Sequence, residues 1–378
     1  MAGAIIQHMP EAGLDDRAWL ERCRYWATQR PEKWKGRRGP PPRRLHQPLI
    51  LTGHGVRLNI DQGTLLVRQG FTHYPQKQEI YRFFPNDRYM PSRIIVVDGS
   101  GSVTLDVIDW LSQQQVPLVR IDWKGNATNV ISSSYGPDPK LVRAQLSAQE
   151  DNKARLKIAT ALICEKLRNS VETLRDLEPS ERLDVALVKL KGNLAEIAVR
   201  PPKTINALLG IEGRSAQTYF QTWRNIPLQW KKTRKPIPGD WLNFTSRYST
   251  QAKRAKSHNA SHPVNAMLNY AYAVLESRVR SQLIALGYDP TLGFIHAYGG
   301  DRSALVLDLM EPLRPIVDRA VLGFVHAQSF NPSDFTIRRD GVCRLNPELA
   351  KVLVRLLESE TFGVSLLVQR SHLPTRIG

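Results

Sequence analysis

The sequence predicts an α+β protein, with an N-terminal β-rich domain followed by an all-α domain. Two observations carry the prediction. From Pro48 to about Ser134, short apolar runs alternate with turn residues. After "YGPDP", at residues 135–139, the apolar spacing lengthens to that of helices. A chain of 378 residues is also long enough for two or more cores.

Three segments follow in order: 1–46, 47–135 and 136–378. Residues 1–46 read as an appendage. A short helix is expected from about Asp15 to Gln29, with Trp19, Leu20, Cys23 and Trp26 on one face. That face needs a surface to bury it, from this chain or another subunit. A Pro- and Arg-rich linker ends in "GRRGPPPRR", and Pro40, Pro41 and Pro42 bar a helix there. The appendage is expected to add affinity without catalytic groups, so that deleting it costs only a modest factor.

In residues 47–135, "LILT", "VRLNI" and "TLLVRQ" read as three strands separated by the turn signals "GHG" and "DQG". "EIYRFF" and "RIIVVD" follow as strands. "SVTLDVIDWLSQQ" is helical, with Val103, Val107, Trp110 and Leu111 at helical spacing, and "PLVRID" and "ATNVIS" return to strand. Beyond 136, helical periodicity covers 139–177, 181–198, 203–224, 263–286, 303–324 and 346–358. Pro263 in the first turn and Gly287 at the end fit one of these helices. Residues 225–262 form a basic loop between helical segments.

Composition narrows the function classes. No apolar run approaches the roughly 20 residues of a membrane span, and the N-terminus has no secretory pattern. Cys23, Cys164 and Cys343 are too widely spaced for a zinc motif or a disulfide framework, which fits a reduced, cytoplasmic protein. The formal net charge is +18. Residues 29–46 hold a net +6 and residues 224–256 a net +8, so two short segments carry most of it. Such clustering suits a polyanion, most often nucleic acid, although a basic surface without a partner has the same composition. Trp230, Trp241, Phe244 and Tyr248 interleave the second cluster, where aromatic faces can stack on bases. The cations expected on a DNA path are Lys231, Lys232, Arg234, Lys235, Arg247, Lys253, Arg254 and Arg302.

Acidic residues inside apolar stretches give the candidate chemistry. Glu212 shares a helix face with Ala216, Tyr219 and Trp223. A carboxylate on such a face either finds a cation or protonates. Asp308 and Glu311 are three apart on another helix, and His296 lies in the turn before it. Two or three carboxylates with one imidazole suit Mg²⁺ or Mn²⁺, and such an ion can serve phosphodiester chemistry. Plainer readings stand beside this one. His296 also fits a cap or core residue, Asp308 and Glu311 also fit helix-dipole acids, and Glu212 also fits a partner for Arg214 or Arg224. No Walker loop, nucleophile elbow or dinucleotide fingerprint is present.

Several stretches together resemble the CRISPR-associated adaptation integrase family, which inserts new spacers into CRISPR arrays. They are "GHGVRLNIDQGTLLVRQG", "KARLKIATALICEKLRNS", "IEGRSAQTYF", "HPVNAMLNYAYAVLE", "LGYDPTLGFIH" and "DRSALVLDLMEPLRP". The resemblance spans roughly residues 48 to 358. It implies a β-rich dimerisation domain and an all-α catalytic domain. It implies that Glu212, His296 and Glu311 bind a catalytic Mg²⁺ or Mn²⁺, with Asp308 as a further ligand or directly behind one. Asn265 and Tyr219 would be supporting residues, Asn265 on a face with Asn269, Tyr272 and Glu276. It further implies a homodimer, a small second adaptation protein as partner, and double-stranded DNA (spacer precursor and repeat) as substrate. The expected reaction is attack of DNA 3′-hydroxyls on phosphodiesters at repeat ends, with cleavage of branched DNA as its hydrolytic counterpart.

Two features depart from the family pattern: residues 1–46, and the basic "QAKRAKSHNAS" within the segment between Phe244 and Asn265. They put the partner arrangement and the DNA path in question, not the chemistry. A relative that integrates transposon ends is one alternative. A non-catalytic DNA-binding protein on the same scaffold is another, and the presence of Glu212, His296 and Glu311 together speaks against it.

Overall fold

Six strands form one mixed sheet in the computed structural model, which describes residues 16–29, 47–131, 137–232, 236–247, 260–296, 303–337, 341–358, 360 and 363–375. They are β1 (Leu49–Asp61), β2 (Thr64–Arg68), β3 (Ile80–Phe83), β4 (Ile94–Val103), β5 (Leu118–Ile121) and β6 (Ala127–Ile131). Their order is β3-β2-β1-β4-β5-β6. β4 lies parallel to β1 and β5, and the remaining pairs are antiparallel. A short helix, Leu105–Gln113, makes the crossover that parallel β4 and β5 require.

The "GHG" stretch is not the turn expected from sequence. β1 runs straight through it, and its register with β4 shifts on both sides of His54. Gly53 and Gly55 have φ of +86° and +80°, so the glycines make an irregularity inside one long strand. A Cβ on Gly53 would sit 2.5 Å from the Phe71 carbonyl oxygen, which leaves no room for another residue.

Strand alternation buries both faces of the sheet. Leu51, Leu58, Leu65, Val67 and Ile94 pack with Val107, Trp110 and Leu111 of the crossover helix. Ile50, Ile95, Val97, Val119 and Ile121 face the other way and join the core of the helices.

Counting the crossover helix as α2, the helices are α1 (Asp16–Thr28), α3 (Pro139–Glu150), α4 (Asn152–Leu174), α5 (Glu181–Val199), α6 (Ile205–Thr222), α7 (Pro263–Ala285), α8 (Ala304–Ala327), α9 (Pro347–Glu358) and α10 (Val364–Arg370). The stretch 139–177, read as one helix, breaks at Asp151, whose carboxylate accepts from the Lys153 amide and caps α4. The helical part also carries two two-stranded sheets. β7 (Gln229–Trp230) pairs with β8 (Ser329–Phe330), and β9 (Phe335–Ile337) with β10 (Cys343–Leu345). Strands of two or three residues are too short for periodicity to reveal.

α1 is built into the core. Cys23 and Trp26 are fully buried, while Trp19 and Leu20 are half-buried. The Trp26 ring lies 5.8 Å from Phe324 and 6.2 Å from Phe330. Its Nε1 donates to Asp334 Oδ1 at 2.7 Å, and Arg22 forks onto the same carboxylate at 2.5 and 2.8 Å. A deletion through residue 46 would therefore leave Asp334 buried without these donors, and the expectation of a dispensable appendage is revised. The linker reading concerns residues 30–46, which lie outside the described residues.

The aromatic residues of the basic segment are also core. Trp241 and Phe244 are 4% and 1% exposed. Trp230 stacks on Trp241 with ring centroids 6.0 Å apart, and Phe335 meets both edge-on. Buried rings have no face left for a base, so the base-stacking expectation fails for Trp241 and Phe244, while Trp230 is half-buried with a face on Trp241. Tyr248 lies outside the described residues.

Burial pushes the Cys23 thiol up to about 12 and raises Cys343 as well. Cys164 is half-buried and lines an open groove with Lys157, Arg168 and Arg370. Iodoacetamide near neutral pH should therefore modify Cys164 first, as read by peptide mass spectrometry. Early labelling of Cys23 would mean that α1 is not docked as described.

Candidate active site

α8 supplies two of the site's acids, and its sequence explains their setting. Pro312 and Pro315 fall four residues after Asp308 and Glu311, so the carbonyls of both acids lack their helical N–H donor. α4 runs alongside. Asn169 donates to the Pro312 carbonyl at 2.8 Å and Thr173 to the Pro315 carbonyl at 2.6 Å. These two bonds bring Lys166, one turn earlier on α4, to Glu311.

Asp308 is fully buried and is not in the first turn of α8, which removes the helix-dipole reading. Its Oδ2 accepts from the Phe294 and Ile295 amides at 2.5 and 2.9 Å. Its Oδ1 accepts from the His296 amide at 3.1 Å and meets His296 Nδ1 at 2.7 Å. Four contacts occupy a carboxylate's lone-pair positions. Asp308 thus holds the His296 loop and orients the ring, leaving Nε2 as the ring nitrogen that could bind a ligand. The hydrogen bond that the ring donates to Asp308 is also the main cause that raises the His296 pKa.

The loop is braced from its other side. Gln149 donates to the Gly293 carbonyl and Arg155 to that of Phe294, each at 2.7 Å. Gly293 permits the close approach, since a Cβ there would sit 2.7 Å from Ala304 at the start of α8.

Glu212, on α6, does not pair with Arg214 or Arg224 in the way one plain reading has it. It bonds the Lys166 ammonium, which also donates to Glu311 Oε2 at 2.5 Å. Glu212 and Glu311 therefore share one cation. The other Glu311 oxygen lies 2.9 Å from Arg314. Burial alone would raise the Glu311 carboxyl, but Arg314 and Lys166 outweigh it and hold the group at about 2. His296 is close enough for its charge to act on Glu311 as well.

Behind these groups, Tyr219 and Tyr272 donate to Asp318 at 3.0 and 2.6 Å. Arg314 lies over the Tyr272 ring at 5.5 Å. Arg247 bonds Asn265 at 3.0 Å and Asn269 at 3.4 Å, and lies 5.4 Å from the centroid of the same ring. Arg247 was expected on the DNA path, but its guanidinium is turned into these contacts. Asn265 completes the clasp by donating to the Ser246 carbonyl at 2.7 Å. Lys231 and Lys232 are exposed. Arg234, Lys235, Lys253, Arg254 and Arg302 lie outside the described residues.

Among the described residues, no three of His, Cys, Asp and Glu are gathered closely enough to hold a metal ion. The donor chemistry still fits a hard divalent cation: two carboxylates already gathered on one positive charge, beside an imidazole oriented by a carboxylate. Lys166 is the residue that sequence reasoning missed. Its signal was a lysine on the apolar stripe of Leu162, Ile163, Leu167 and Ser170, a position that requires an acid.

The family model for CRISPR associated protein Cas1 matches residues 49–359. This chain belongs to the Cas1 family. A relative, the CRISPR-associated endonuclease Cas1 1 of Thermus thermophilus, is 30% identical over 324 residues, covering 84% of this chain and 88% of that one. A solved casposase bound to an integration product superposes with a TM-score of 0.67 at 26% identity, covering 85% of this chain and 88% of that one. The fold also matches a chain of a solved Cas6-RT-Cas1–Cas2 complex, with a TM-score of 0.65 at 20% identity, covering 89% of this chain and 35% of that one. The match to the Cas1 family model begins after α1.

Proposed function

We propose that this Cas1 protein is a metal-dependent DNA integrase that inserts spacer DNA into CRISPR arrays and cleaves branched DNA at the same site. The observation that carries the reading is the gathering of Glu212 and Glu311 on one cation beside an imidazole oriented by Asp308. Glu212, Glu311 and His296 Nε2 are the atoms that would hold Mg²⁺ or Mn²⁺. When bound, such an ion supplies a Lewis acid for the phosphate and lowers the pKa of the attacking oxygen. Asp308 keeps the imidazole in one orientation, and Arg314 keeps Glu311 ionised.

The reaction exchanges one phosphodiester for another. A 3′-hydroxyl oxygen bonds to phosphorus at the edge of a repeat, the bond to the target strand's own 3′-oxygen breaks, and that oxygen leaves with a proton. Water in place of the 3′-hydroxyl gives cleavage. The substrate is double-stranded DNA, and the assembly is a homodimer with a small Cas2-type partner, a reading supported by the Cas1–Cas2 complex of the same fold. The casposase likeness supports a second reading, in which the same site integrates transposon ends. A neighbouring repeat array in the genome favours the first, and flanking inverted repeats the second.

The test is strand transfer. The purified chain with Mn²⁺ should join a labelled duplex bearing 3′-hydroxyl ends to a plasmid carrying a repeat, and a duplex with 3′-deoxy ends should give no product. No transfer, with or without the small partner, counts against the reading. Binding should be dominated by phosphate contacts. Neutralising Lys231, Lys232, Arg234 and Lys235 together should weaken binding for all sequences alike. It should also flatten the salt dependence by about 0.9 per lost contact. Lys231 has a second role at its described position, 4.1 Å over the Tyr25 ring of α1. An unchanged slope would remove this segment from the DNA path.

A further inference from the structure

Two carboxylates brought together without a metal repel each other, and a fold that gathers them needs a positive charge between them. Here that charge is Lys166, bonded to Glu212 and to Glu311. The site has a second cation, Arg314, but the two are held differently. Arg314 grips the far Glu311 oxygen and lies over the Tyr272 ring, with Asp318 close by. Lys166 reaches its partners at the end of a flexible four-carbon stem, and its side chain is 14% exposed.

We propose that Lys166 is a displaceable internal cation: it holds Glu212 and Glu311 together before a divalent ion binds, and it leaves them when the ion arrives. Lys166 is thus a positioning residue, and it sets the affinity of the site by competition. The inference rests on the metal-site reading given above. The rival view, a permanent structural ion pair, predicts that removing Lys166 lowers stability and leaves ion affinity unchanged or weaker.

Calorimetric titration of the full chain with Mn²⁺, compared with Lys166→Met and Lys166→Gln, separates the two. Without an ammonium to displace, both variants should bind Mn²⁺ at least about tenfold more tightly than the wild type. Lys166→Met should melt below the wild type without the ion and gain more from saturating Mn²⁺. A measurement on the wild type needs no substitution. Acetylation of Lys166 by a small reagent, read by peptide mass spectrometry with exposed Lys232 as reference, should rise when Mn²⁺ is added. Equal or weaker Mn²⁺ binding in the folded variants overturns the proposal. If neither variant folds, unchanged acetylation in the wild type overturns it. A wild type that binds no Mn²⁺ sinks the metal-site reading along with it, whereas tight binding indifferent to Lys166 sinks this inference alone.

Discussion

Replacing Trp26 with alanine should lower stability by about 3–5 kcal/mol, the range for removing a large aromatic from a core. The indole is fully buried against Phe324 and Phe330, and it supplies one of the donors on Asp334. Asp334→Ala should cost a similar amount, about 3–5 kcal/mol, by leaving the buried Arg22 guanidinium without its carboxylate. The two changes touch one network and should not add. Urea unfolding of the full chain reads both, and a loss under about 1 kcal/mol for Trp26→Ala would mean that α1 is not part of the core.

Glu311→Gln should abolish DNA cleavage and strand transfer, by on the order of 10³-fold or more, the scale of several kcal/mol of lost transition-state stabilisation. His296→Ala should do the same with a smaller effect on folding, since the ring is partly exposed whereas Glu311 faces Lys166 and Arg314. Asp308→Asn should behave differently. One of its two accepting oxygens becomes an NH2 donor, so the ring and the loop amides can no longer all be satisfied, and metal affinity should fall by about 10–100-fold while saturating ion restores part of the rate.

The acid limb of stability carries a further signature of Glu311. Its folded-state pKa, about 2, lies below the ordinary value of 4.5. Its contribution is therefore present above about 4.5 and lost as pH falls toward 2. Glu311→Gln should flatten that part of a stability–pH curve. An unchanged curve would place the ion pairs elsewhere.

Regular elements were legible wherever the chain is long enough to show a period. α5, α7 and β2 come out of the sequence nearly as they stand, because capping residues and alternation mark their ends. The "GHG" misreading has a local cause: glycines at positive φ serve a turn and a strand irregularity equally well, and only pairing with β4 decides between them. Aromatic residues beside lysines were ambiguous for a similar reason. Trp230 and Trp241 carry the composition of a base-stacking surface, yet they stack on each other.

The site was legible in part. Glu212, His296, Asp308 and Glu311 stand out as polar residues in apolar surroundings, and the family resemblance groups them. Their division of labour was not legible, because it depends on which atoms face one another. Asp308 spends both oxygens on the His296 loop, which no spacing reveals. Lys166, 46 residues before Glu212 and 145 before Glu311, joins them only because α4 packs against both α6 and α8.

The most direct test of the site is anomalous diffraction from crystals of the full chain soaked in Mn²⁺. One peak bonded by Glu212, Glu311 and His296 Nε2, with the Lys166 ammonium moved off both carboxylates, is the predicted result. A site without a peak at saturating Mn²⁺, or a peak held by other residues while Lys166 still bridges Glu212 and Glu311, would contradict the account.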